Sequence, residues 1–225
     1  MKIALIGTGR TGGKVLELID PKNITYFDSD NPPTAAGLAG HDAAICFLPG
    51  PAFLRYIDII LESGVPLACG STGFDWPEDI DARLKAKGVA WVAATNFALG
   101  MNLVQAMIGI MAKAPSIYDD YGFKLHEIHH VHKKDHPSGT ALTWQKWLGQ
   151  DVEFSFDREG DNPGDHKLTL EAPYENIIIQ HQSKDRKIFA QGAIWTAEKL
   201  ASKELEPGLH HLATIMQSEF GLKNS

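Results

Sequence analysis

The chain has 225 residues, 44% of them hydrophobic and 22% charged, which fits one large domain or two small ones and excludes a disordered tract. Lys plus Arg total 21 against 28 for Asp plus Glu, a net charge of −7, so no basic face for nucleic acid is expected; apolar runs reach six residues, as at Ala43–Leu48, too short to span a membrane as a helix. The opening MKIALIGTG enters a glycine turn at once, which predicts no signal peptide, and Cys46 and Cys69 lack C-x-x-C spacing, so a soluble protein of a reducing cytoplasm is expected.

Short apolar runs at Lys2–Ile6, Ile24–Asp28, Ala43–Leu48, Pro66–Cys69 and Val89–Ala93 read as buried parallel strands. Helical spacing at Thr11–Ile19, Ala52–Ser63 and Pro77–Lys87 separates them. Such alternation predicts an α/β, Rossmann-type doubly wound sheet. The texture changes near Asn96–Asn102. Met101–Ala112 reads as a connecting helix, and Phe123–His129, Val152–Phe156, His166–Glu171 and Asn176–His181 as strands with antiparallel-type alternation. A helix at Ser138–Leu148 interrupts them, and two more, Ala193–Leu205 and Leu209–Phe220, close the chain. The expected division is a dinucleotide-binding domain over 1–97 and 187–225. A smaller α+β domain with a mostly antiparallel sheet, for substrate binding and oligomerisation, takes 98–186.

Gly7-Thr8-Gly9-Arg10-Thr11-Gly12 fits G-x-G-x-x-G between the first strand and the first helix. The first glycine permits the tight turn, the second lets backbone approach a pyrophosphate, and the third lets helix pack on strand. Helix N-terminal N–H groups then face the phosphates. Asp28 ends the next strand at the distance where a carboxylate accepts from the adenosine ribose hydroxyls, which favours NADH. No Arg follows it in Ser29-Asp30-Asn31, although Arg10 and Lys14 could reach the 2′-phosphate of NADPH.

Five histidines crowd between His126 and His136. His126-Glu127-Ile128-His129 is one residue short of H-E-x-x-H, so no zinc motif is present and no metal is expected. Histidine titrates near neutral pH and can exchange a proton in a hydride-transfer cycle, and Lys133 can supply a second proton or hold an anion. Ser138 is a good N-cap, and the amides of Gly139 and Thr140 make a receptor for a carboxylate. On the residues alone, a capped surface helix preceded by solvated histidines remains the other reading.

The run His129-His130-x-x-Lys133-x-Asp135-x-Pro137-Ser138-Gly139-Thr140-Ala141 resembles the signature of bacterial dihydrodipicolinate reductases (4-hydroxy-tetrahydrodipicolinate reductases). Gly70-Ser71-Thr72-Gly73 is similar to that family's G-T-T-G, and Asn96-Phe97-Ala98-Leu99-Gly100-Met101-Asn102 to its N-F-S-x-G-x-N. Arg158, Gly160, Gly164 and His166, then His181, Arg186 and Phe189-Ala190-x-Gly192-Ala193, resemble its later motifs. The resemblance implies NAD(P)H-dependent reduction of a cyclic imine dicarboxylate to tetrahydrodipicolinate. It implies His129 as the acid that protonates the ring, with Lys133 as its catalytic partner. His130, Lys133, Ser138, Gly139, Thr140 and Thr72 would hold the substrate; Gly70, Thr72, Ala94, Asn96 and Phe97 would border the nicotinamide. It also implies a homotetramer. Two competitors are an aspartate- or diaminopimelate-type dehydrogenase, which should lack the Lys133–Thr140 run, and a non-catalytic NADH-binding regulator, which would need only the first domain.

Overall fold

The computed structural model describes residues 1–221, so the last four residues of the expected 187–225 segment lie outside the described residues. In chain order the elements are β1 (Ile3–Ile6), α1 (Gly12–Leu18), β2 (Ile24–Phe27), α2 (Ala35–Leu38), β3 (Ala43–Cys46), α3 (Gly50–Ser63), β4 (Leu67–Cys69), α4 (Ile80–Lys87) and β5 (Ala90–Ala93). There follow α5 (Leu99–Met111), β6 (Gly122–His129), α6 (Gly139–Leu148), β7 (Glu153–Arg158), β8 (Asp165–Ala172), β9 (Glu175–Gln182), α7 (Lys187–Ala201), β10 (Gly208–His211) and α8 (Leu212–Glu219). Contacts divide the chain into two compact units, residues 1–99 with 186 onward, and residues 100–185.

The first unit is a parallel sheet in the order β10-β5-β4-β3-β1-β2. β1, β3, β4 and β5 are buried throughout, as strands covered on both faces must be. Phe53, Ile60, Leu84 and Trp91 fill one face; Val15, Ala193, Ala197 and Leu200 fill the other. On that second face a side chain at Gly192 would collide with the Phe97 carbonyl oxygen. The small residues of α7 are what let it lie close.

Two expectations need correction here. Leu209–Phe220 is not one helix: Gly208–His211 is a sixth strand, paired in parallel with β5, and the helix begins only at Leu212. Four residues carrying two histidines show no strand periodicity of their own, so pairing to β5, and Leu209 N–H donating to Asp81 (2.9 Å), decide their conformation. The helix expected from Ala193 starts at Lys187 and ends at Ala201, and α2 was not foreseen.

The second unit is a four-stranded sheet in the order β7-β6-β8-β9. β6–β8 and β8–β9 are antiparallel, but β6–β7 is parallel. Val152–Phe156 therefore forms a strand without the antiparallel pairing expected of it, because α6 intervenes and supplies the crossover that a parallel pair requires. Along β6, Phe123, Leu125, Glu127 and His129 share the covered face, with Trp144 and Leu148 of α6 buried as well. Two of those four positions are polar. That breach of the apolar pattern marks the site.

Candidate active site

In the first unit the expected nucleotide-binding residues all lie at the carboxyl ends of parallel strands, where open α/β sheets bind ligands. Gly7 follows β1 with φ +94°, a left-handed conformation that favours glycine, and its N–H donates to the Phe27 carbonyl (2.8 Å). A Cβ at Gly12 would strike the Gly7 carbonyl oxygen, so the third glycine of the motif is required by helix-on-strand packing. A Cβ at Gly9 would meet nothing within 4 Å. That open backbone is what a pyrophosphate needs, and Thr8, Arg10 and Thr11 flank it; the turn fits a dinucleotide.

Asp28 follows β2, and its Oδ1 accepts from Asp30 N–H and Asn31 N–H (both 3.0 Å), which fixes the carboxylate while Oδ2 makes neither bond. Lys14 donates to Glu17 (2.6 Å). After β4, Gly70 lies against the Phe47 ring so closely that a side chain would collide, and Phe47 packs edge-on to Phe97 (5.8 Å between centroids). Thr72 is exposed, and its carbonyl accepts from Gly50 N–H. After β5, Ala94 N–H donates to the Cys69 carbonyl and Asn96 Oδ1 accepts from Ala98 N–H (2.8 Å), which shapes the turn that buries Phe97. Phe47, expected inside the strand run Ala43–Leu48, lies just beyond the end of β3 and packs against both Gly70 and Phe97.

In the second unit His129 is the last residue of β6, and its side chain turns to the covered face, where it is 6% exposed. The chain then leaves the sheet: His130 N–H donates to the Asn162 carbonyl (2.8 Å), and the His130 and His132 rings stand 6.4 Å apart. Lys133 Nζ donates to both carboxylate oxygens of Asp135 (2.9 and 2.8 Å), so its charge is met by a neighbour that a ligand carboxylate would have to displace. Arg158 holds this loop, donating from Nε to the Lys133 carbonyl (3.2 Å) and from Nη2 to the Asp135 carbonyl (2.9 Å).

Ser138 caps α6 as expected: its Oγ accepts from Ala141 N–H (3.1 Å). Leu142 N–H is taken by the Ser138 carbonyl, so Gly139 and Thr140 present first-turn N–H groups that helix geometry leaves without a helical acceptor. The Ser138 N–H donates to both oxygens of Glu127 (3.2 and 3.1 Å), and its Oγ lies 3.1 Å from His166 Nε2.

Glu127 and His166 were not among the expected site residues, although both are almost fully buried and face each other across β6–β8. The signal available was a glutamate at an inward position two residues before His129. Burial holds His129 below the usual imidazole value; Glu127 opposes that, and Lys133, Arg158 and His130 add to it. Burial, then the neighbouring His129 and His181, push His166 down to about 3. Both rings are therefore uncharged near neutral pH when nothing is bound.

Glu127, His129 and His166 bring three donor atoms within 4.8 Å of one another. Two of the three are already engaged by Ser138, which uses the carboxylate of Glu127 and Nε2 of His166. Gly164 clears the other edge of His129, since a Cβ there would lie 3.2 Å from Nε2.

Residues 100–216 match the family described as "Dihydrodipicolinate reductase, C-terminus". The chain belongs to the dihydrodipicolinate reductase family. The 4-hydroxy-tetrahydrodipicolinate reductase of Christiangramia forsetii is 32% identical, over 90% of this chain and 93% of its own length. That of Haloarcula marismortui is 31% identical, over 90% and 94%. A dipicolinate-bound dihydrodipicolinate reductase from Paenisporosarcina sp. TG-14 has the same fold, with a TM-score of 0.73 over 96% of this chain and 99% of that one, at 17% identity. The protein is an NAD(P)H-dependent oxidoreductase, a 4-hydroxy-tetrahydrodipicolinate reductase of lysine biosynthesis acting on a small-molecule substrate. Among the described residues no helix is long and apolar enough to cross a membrane.

Proposed function

We propose that residues 1–97 with 187–225 bind the dinucleotide, that residues 98–186 bind the substrate, and that His129 supplies the proton of the reduction. One hydride and one proton add to the unsaturated imine ring, which the 4-hydroxy compound becomes on losing water; a bound nicotinamide would supply the hydride. His129 gives the proton and returns to its uncharged form, the state that burial favours. Lys133 is its partner, and its ammonium holds a substrate carboxylate once that anion displaces Asp135. The other contacts to the dicarboxylate come from the amides of Gly139 and Thr140, the Thr140 hydroxyl, Ser138, His130 and Thr72. A helix N-terminus favours an anion through its free N–H groups and dipole. Dipicolinate, present in the Paenisporosarcina protein, is a planar dicarboxylate suited to the same receptor.

One observation carries this reading. Ser138 Oγ touches His166, whose ring lies 5.0 Å from that of His129, so the acid and the cap of the anion receptor belong to one packed group. The alternative of a surface helix with solvated histidines requires exposure, and His129 is buried.

The preferred cofactor is NADH. Asp28 and Asp30 follow β2, and their charges would repel a 2′-phosphate of roughly −1.5 to −2 charge. Lys14 is engaged by Glu17, which leaves Arg10 as the weaker route to NADPH. The glycine turn, Gly70, Thr72, Ala94, Asn96 and Phe97 form the remaining nucleotide contacts. The assembly is a homotetramer built through the second unit's sheet; Ile178, exposed on the face of β9 opposite buried Ile179, is an apolar residue that such an interface would cover. Its place is a reducing cytoplasm, consistent with two free buried thiols, Cys46 and Cys69, opposite each other on β3 and β4.

The test is His129→Gln. The kcat should fall by about 10²–10⁴, the worth of a positioned acid, with the dissociation constant for NADH unchanged. A near-wild-type rate would move the proton donor elsewhere, to His130 first.

A further inference from the structure

We infer that Glu127 is the positioning residue of the proton donor: from beneath the site its carboxylate faces Nδ1 of His129, so that Nε2 delivers the proton, and the same carboxylate anchors the start of α6 through Ser138. The inference rests on the reading of His129 as the acid.

The geometry is specific. Glu127 is 1% exposed, and β6 alternation puts it on the same face as His129, one inward position earlier. Its Oε2 lies 3.9 Å from His129 Nδ1, and Nδ1 is a buried atom with no hydrogen-bond partner among the described residues. At 3.9 Å the two are close but not hydrogen-bonded, and since an unsatisfied buried N–H is costly, Glu127 is the acceptor on which a proton at Nδ1 would close. The opposite edge, Nε2, faces Gly164, where the missing side chain leaves room. The two imidazole nitrogens thus have different surroundings, carboxylate on one side and a cleared edge on the other.

A carboxylate buried this deeply must be met by donors. Ser138 N–H reaches both oxygens, His166 Nε2 stands 3.7 Å away and Arg158 Nη2 3.9 Å. These contacts fix the carboxylate before any substrate arrives. The groups facing His129 are Glu127, Lys133, Asp135, Arg158, His130 and His166. Of the two carboxylates among them, Asp135 is engaged by Lys133, and Glu127 is the one that favours the charged ring. The acid must be protonated when the substrate is reduced, and without Glu127 burial and the charges of Lys133 and Arg158 would act unopposed against that.

Two measurements test this. In the wild-type protein, nitrogen NMR of the histidine rings should show neutral His129 protonated at Nδ1; protonation at Nε2, with a bare Nδ1 facing the carboxylate, would overturn the inference without any variant. The second is Glu127→Gln, whose amide oxygen can still accept from Ser138 N–H while the charge is gone. Its kcat–pH profile should keep its shape but move about one pH unit or more toward acid, the effect of removing an opposite charge at this range. Inhibition by dipicolinate should change less than about threefold, because the anion receptor stays anchored. Glu127→Ala should lose both, shifting the profile and weakening dipicolinate. A Glu127→Gln profile superimposed on wild type would refute the positioning role even if His129→Gln had abolished turnover. A His129→Gln enzyme of normal rate would instead refute the proton-donor reading.

Discussion

Replacing His166 by Gln should flatten the acid limb of the protein's stability curve. In the folded protein burial drives this imidazole from its ordinary 6.5 down to about 3, with the adjacent His129 and His181 acting in the same direction. The unfolded chain therefore binds a proton near pH 6.5 that the folded chain refuses. Stability is complete above 6.5 and declines as pH falls from 6.5 toward 3, because stability rises with pH wherever the unfolded state binds more protons. At about 1.4 kcal/mol per pH unit, this single group removes about 2 kcal/mol between pH 8 and pH 5. Gln keeps a polar group for Ser138 Oγ, now 3.1 Å from His166 Nε2, and does not titrate. Guanidinium unfolding followed by circular dichroism, at one protein concentration and at pH 8, 6.5 and 5, gives the two slopes. The wild type should lose about 2 kcal/mol more than His166→Gln over that interval. Equal losses in the two proteins would show that His166 is not the proton-refusing group.

Lys133→Ala should weaken dipicolinate inhibition about tenfold or more, since a charge-assisted hydrogen bond is worth about 1.5–3 kcal/mol. Thr140→Val should weaken it less, because the amide remains; inhibition indifferent to both changes would remove this receptor. Calorimetric titration should find NADH bound at least as tightly as NADPH, and clearly tighter NADPH binding would defeat the role given to Asp28. Gly9→Ala and Gly12→Ala should separate: the first should fold with stability within about 0.5 kcal/mol of wild type and lose NADH affinity, since its methyl enters open space. The second should cost about 1–3 kcal/mol of stability through overpacking against Gly7, and equal melting temperatures would contradict that packing.

The sequence by itself determined the parallel sheet, because continuous apolar runs such as Ile3–Ile6 and Ala90–Ala93 have no stable place except between two covered faces. It also determined the glycine turn and the Ser138 cap, since both depend on local backbone chemistry that neighbours in the chain define. Tertiary structure decided what local pattern does not carry. The strand at Gly208–His211 exists because β5 offers an edge, and β7 runs parallel to β6 because α6 lies between them. The order of histidines told nothing about which one is buried; the end of β6 turns His129 inward, whereas His130 lies beyond it in the turn. Glu127 carried only an ambiguous signal as a functional residue for the same reason. A carboxylate at an inward strand position reads as a mismatch until Ser138, 11 residues later, folds back to place its N–H on both oxygens, and His166 comes opposite from β8. Contacts made across that many residues depend on where the sheet and helix bring the backbone, which periodicity and spacing do not encode.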